Sequence, residues 1–217
     1  MHLVSPALPV GAYAYSQGLE YALHAGWLPD ETAILRWLQG LSQHTLGTFD
    51  LPLLLRLHRA WLADDRDAVA RWNALLVAAR ETAELRAEER HLGRALARVL
   101  VELEISEARF YCHAEDTHAG AFATLFALAA VRWRIDEASA MAGYLWTWSE
   151  NQVLAAVKLV PLGQSAGQRL LHRLIDDMPA IIDRALALPD EAISVGTPSQ
   201  VLASALHETQ YSRLFRS

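Results

Sequence analysis

The sequence predicts an all-α protein, one domain built as a bundle of roughly ten helices. Three observations predict it. Apolar residues recur at the helical period nearly everywhere, and no stretch alternates long enough to make a strand. Capping residues stand ahead of these periodic segments one after another. No linker rich in Gly, Ser or Pro and no fixed-period repeat divides the 217 residues, of which 53% are hydrophobic. Such a chain is long enough to bury a substantial core and too apolar to stay disordered.

The elements follow in order. Ser5-Pro-Ala-Leu-Pro-Val-Gly-Ala-Tyr-Ala-Tyr-Ser-Gln-Gly-Leu-Glu20 opens the fold. Pro6 and Pro9 fix φ and remove two donors, so residues 5–10 run extended or turned, and Gly11 permits a conformation that larger residues resist. From Tyr15 or Ser16 a helix runs toward Gly26, with Tyr13 and Tyr15 expected buried at the joint. Asp30 caps a helix carrying Ile34, Leu35, Leu38 and Leu41. Asp50 is read as the cap of the next, with Pro52 in its first turn. Asp64 or Asp65 opens a helix carrying Val69, Trp72, Leu75 and Leu76. Residues 81–101 read as a long amphipathic helix, with Glu84, Glu88 and Glu89 paired to Arg86, Arg90 and Arg94 on a solvated face. After a polar break at 111–118 comes the most apolar run, 119–131, too short to span a bilayer and read as a buried helix. Asp136 caps a helix to about Val160, ended by Pro161 and Gly163. Separate helices are expected at 165–177, 179–188 and 198–206.

The bulk numbers exclude some functions. A net charge of −6 argues against a general nucleic-acid binder. Lys158 is the only lysine, and the abundance of Arg, Ala and Leu reads as coding bias rather than arginine-based recognition. Cys112 is the only cysteine, so no intramolecular disulfide forms. No basic segment followed by an apolar core stands at the N-terminus, and we expect no membrane partner and a cytoplasmic protein. H-E-x-x-H does not occur, and the spelling G-x-S-x-G occurs at Gly163-Gln-Ser-Ala-Gly167 without the strand ahead of it that a nucleophile elbow needs, so an enzyme is not favoured.

Three segments remain as candidate chemistry. Cys112, His113 and His118 are metal-ligand types close in sequence, but paired spacings such as C-x2-C are absent, and a solvated connecting loop is the simpler reading. Pro161-Leu-Gly-Gln-Ser-Ala-Gly-Gln168 lacks the Gly-Lys-Ser/Thr ending of a P-loop and any βαβ surroundings. It reads as a helix start whose glycines at 163 and 167 let another helix approach. The tail, from residue 206 to Ser217, places Tyr211, Leu214 and Phe215 beside Arg213 and Arg216. Aromatics with arginine are the composition of an interface hot spot, so these side chains are exposed for a partner unless the tail folds back on its own domain.

Taken together the Ser5–Glu20 strip, Arg80-Glu-Thr-Ala-Glu-Leu-Arg-Ala-Glu-Glu-Arg90, Glu150-Asn-Gln-Val153, Val160–Gln168 and the Tyr-Ser-Arg-Leu-Phe-Arg ending resemble the urease accessory protein UreF family, in order and across essentially the whole chain. Family members usually carry more residues ahead of the strip. They also more often have Phe at the place of Tyr13 and Ser at that of Ala14. The resemblance implies a non-catalytic, dimeric helical protein with no resident cofactor. It binds UreD (also called UreH), recruits the GTPase UreG, and serves nickel delivery to apo-urease. It implies tail contacts to UreD/UreH, with Arg213 at the place of an arginine tied to complex formation, and a basic position at Lys158 that we assign to the GTPase side. Two other readings stay open: a regulator of the UreG GTPase, and a nickel-binding protein using Cys112, His113 and His118.

Overall fold

The computed structural model describes residues 2–113 and 119–217. Ten α-helical segments appear among them, with short 3-10 turns ahead of the first and in two of the connections, and with no strand. They are α1 (Leu19–His24), α2 (Glu31–Leu41), α3 (Leu51–Leu62), α4 (Arg66–Ala78), α5 (Ala83–Glu102), α6 (Arg109–Cys112), α7 (Phe122–Arg132), α8 (Glu137–Leu159), α9 (Gln164–Ala187) and α10 (Pro198–His207).

The local signals set most helix starts. Asp30, Asp65 and Asp136 each accept a hydrogen bond from the backbone N–H three residues on, at 2.8, 2.9 and 2.9 Å. Thr82 does the same for α5, accepting from Leu85 at 3.2 Å. Asp50 does not. A π-helical stretch, Ser42–Asp50, carries α2 straight into α3, and Asp50 has helical φ and ψ, so no helix begins there to be capped. Its carboxylate turns inward to Arg80.

Helix α7 is the centre of the bundle. Residues 122–131 are all buried, and α7 packs against α3 and α5. Its first turn has no cap of its own. Distant side chains supply the missing acceptors: Asn73 Oδ1 takes the Ala121 N–H at 2.8 Å, and Glu89 Oε1 takes the Phe122 N–H at 2.7 Å. Close backbone approach is forced at Gly93 of α5, where a Cβ would fall 1.8 Å from the Gly120 carbonyl oxygen.

The two helices expected at 165–177 and 179–188 form one rod, α9, with Pro179 inside it. Pro179 removes one ladder bond. The buried series Leu170, Leu171, Leu174, Met178, Ile181 and Ala185 continues across it, so packing against α8 and α2 outweighs the break. The glycine reading at 163 and 167 holds for one position. A Cβ on Gly167 would meet Val157 Cγ2 at 2.7 Å, whereas Gly163 faces open space.

The core has two parts. One gathers α3, α5, α7, the first half of α8 and the second half of α9; the other gathers α1, α2, the second half of α8, the first half of α9 and Phe215. Trp146, Trp148 and Ile175 border both.

Candidate functional site: the tail against the N-terminal strip

The strip and the tail lie at opposite ends of the sequence, and the fold lays one along the other. The strip turns at Gly11, with φ of 79°, makes a 3-10 turn at Ala12–Ala14 and starts α1 after Gly18, with φ of 87°. A Cβ on Gly18 would meet Ser204 N at 3.0 Å and Ala203 Cβ at 3.1 Å. Glycine at 18 therefore lets α1 sit directly on α10, the helix that leads into the tail. The short helix begins later than the expected residues 15 or 16 because this turn occupies Gln17 and Gly18.

Seven hydrogen bonds then hold the tail. Arg216 N donates to Ala14 O at 2.9 Å, and Ser16 donates twice to Ser217 O, through N at 2.9 Å and Oγ at 2.5 Å. Ser217 Oγ donates to Glu88 at 2.8 Å. Glu20, buried on α1, accepts from Leu214 N at 2.7 Å and Phe215 N at 2.9 Å. Arg213 reaches Glu84 of α5 at 2.8 Å. Between the two carboxylates lies His207, fully buried, with Nδ1 2.7 Å from Glu84 and Nε2 3.2 Å from Glu20.

This geometry sorts the tail residues. Tyr211 and Leu214 project into solvent. Arg213 is part-exposed and already paired. Phe215 is not exposed as the sequence reading had it: 6% of its surface remains accessible, and it packs with Leu19, Ala22 and the other residues of the second core. Tyr13 errs the other way. It is 65% exposed, while Tyr15 is buried. Lys158 belongs to the same place, with Nζ 5.6 Å from the Tyr13 ring centre and 5.8 Å from that of Phe215. The structure thus brings Lys158, Arg213, Leu214 and Phe215 into one neighbourhood.

Sequence reasoning missed Ser16, Glu20, Glu84, Glu88 and His207 as members of this site. Ser16 and Glu20 stand at i and i+4 across a helix start, a pattern that hints at a shared face but not at a partner nearly two hundred residues away. Glu88 and Glu89, expected on a solvated face, are both buried. Glu89 and Asp50 flank Arg80 in an interior ion cluster. Burial pushes the Arg80 pKa down, and the two carboxylates more than reverse this, leaving it well above the usual value. Among the described residues Glu88 has no such cation bonded to it. Burial raises its pKa to about 7 against hydrogen bonds from Gln17 and Ser217. It borders a cavity of about 90 Å3 also lined by Tyr15, Gln17, Arg80 and Gln152.

The metal-ligand candidates are not drawn together among the described residues. Cys112 is buried, its Sγ 3.7 Å from the Ala108 carbonyl oxygen, and burial pushes its thiol up. His113 is exposed, and His118 lies outside the described residues. No group of three or more His, Cys, Asp or Glu that could hold a metal ion occurs among the described residues. No helix among them is long and apolar enough to cross a membrane.

Comparison with known proteins completes the picture. The UreF family model matches residues 28–175. The chain is 54% identical to the urease accessory protein UreF of Alkalilimnicola ehrlichii over 215 residues, covering 99% of this chain and 93% of the relative. It is 51% identical to that of Teredinibacter turnerae, over all of this chain and 96% of the relative, and 46% identical to that of Hahella chejuensis with the same coverage. At such identity over nearly full length, with an all-α fold, the chain belongs to the UreF family of urease accessory proteins.

Proposed function

We propose that this protein is a non-catalytic scaffold of urease maturation, working as a homodimer in the cytoplasm. It bridges UreD/UreH and the GTPase UreG so that nickel reaches apo-urease, with nickel as cargo and no resident cofactor. Family membership supports the role in urease maturation. The observation that carries the finer reading is the tail. Tyr211 and Leu214 are left in solvent by a segment whose neighbours Phe215 and Ser217 are buried. A frayed tail would not be so sorted. An anchored one that presents Tyr and Leu beside an arginine has the composition of a docking surface for UreD/UreH.

The test is retention of UreD/UreH by the purified chain. The double variant Tyr211→Ala/Leu214→Ala removes two exposed side chains and leaves Phe215 in place. Loss of retention without a change in melting temperature is the expected result; undiminished retention overturns the tail assignment. Deleting residues 207–217 is a poorer test, because it uncovers the second core. For the GTPase side, Lys158→Ala should weaken UreG recruitment to the preformed complex and leave UreD/UreH retention intact. Recruitment at full strength removes Lys158 from that role.

A further inference from the structure

We propose that Glu20 is the positioning residue of the tail, its buried carboxylate fixing which tail side chains face a partner; the partner half of this rests on the docking reading above. Glu20 is 7% exposed and makes no salt bridge to Arg or Lys among the described residues. What it receives instead are two backbone donors from the C-terminal segment, Leu214 N and Phe215 N, with His207 Nε2 3.2 Å from the same carboxylate. Two consecutive backbone N–H groups are held by the two oxygens of one carboxylate. At this place Phe215 lies in the core and Leu214 outside it. Charge-assisted hydrogen bonds of this kind are about twice as strong as neutral ones.

The second carboxylate makes the arrangement a clamp. Glu84 on α5 holds His207 Nδ1 and Arg213, so the segment 207–215 is gripped by acids from two helices, with the His207 ring bridging them. Glycine at 18 is what seats α1 against α10 closely enough for Glu20 to reach His207. A generic stabiliser could make its bonds anywhere along the tail. Glu20 makes them where the exposed Leu214 is followed by the buried Phe215.

Glu20→Gln keeps the volume and replaces an acceptor by an N–H facing donors. Hydrogen exchange, resolved to single amides, reads the clamp. In the unaltered chain the Leu214 and Phe215 amides should be protected relative to an unstructured peptide; exchange at the free-peptide rate overturns the proposal even if the variant fails to fold. In Glu20→Gln these two amides should exchange at least tenfold faster while those of α7 are unchanged, and retention of UreD/UreH should fall at least tenfold. Unchanged exchange at 214 and 215 overturns the clamp. Faster exchange with full retention overturns the positioning role, provided Tyr211→Ala/Leu214→Ala has lost the partner. If that double variant retains UreD/UreH, the docking reading falls and takes the partner half of the proposal with it, whatever the exchange rates.

Discussion

Single buried charges decide where this protein is sensitive. Arg80 stands between Asp50 and Glu89, and removing it strands two carboxylates in the interior. Arg80→Ala should lower stability by about 3–5 kcal/mol, read by urea denaturation. Glu88 is the opposite case, a carboxyl whose ionisation the fold resists. Its pKa rises from the usual 4.5 to about 7 because burial disfavours the charge. The folded state therefore keeps this contribution in full below pH 4.5 and loses it as pH rises through about 7. The loss amounts to about 3 kcal/mol across the window. In Glu88→Gln, one amide oxygen can still accept from Gln17 and the amide nitrogen can donate to Ser217 Oγ. Between pH 5 and pH 8 its stability, relative to the unaltered protein, should rise by most of that amount. Parallel stability curves for the two proteins would contradict the assignment.

At the scale of the element, caps and close approaches matter most. Asp136 takes both the N–H and the hydroxyl of Ser139, so Asp136→Ala should lower the melting temperature, seen in thermal melts. Gly93 is less forgiving, because a side chain there meets backbone rather than a movable tip. Gly93→Ala should separate α5 from the residues leading into α7 and lower the melting temperature far more than Gly163→Ala, whose position faces open space. The π-helical stretch between α2 and α3 shows why one capping reading failed. Asp is a good cap only where a helix begins, and continuity of the rod is not visible in a window of four residues.

For the whole molecule, the consequence of the fold is that both chain ends meet at one place. Phe215 closes the second core, so Phe215→Ala should destabilise by about 3–5 kcal/mol, whereas Tyr211→Ala should leave denaturation unchanged. Equal effects of the two would contradict the sorting of the tail into anchor and presented side chains.

Much of this was legible in the residues. The helical period, the caps at Asp30, Asp65 and Asp136, the buried run ending at Val131 and the family signature all rest on patterns a few residues long, which local backbone geometry obeys. The sequence by itself therefore determined the helical class, most helix positions and the membership in the UreF family. Tertiary structure alone decided which charges are inside and where the tail goes. Glu88 and Glu89 look solvated on a helical wheel and are buried, because α7, the strip and the tail supply their partners. Glu20 meets Phe215 across 195 positions. The cost of burying a charge depends on such distant donors, and no local period records them.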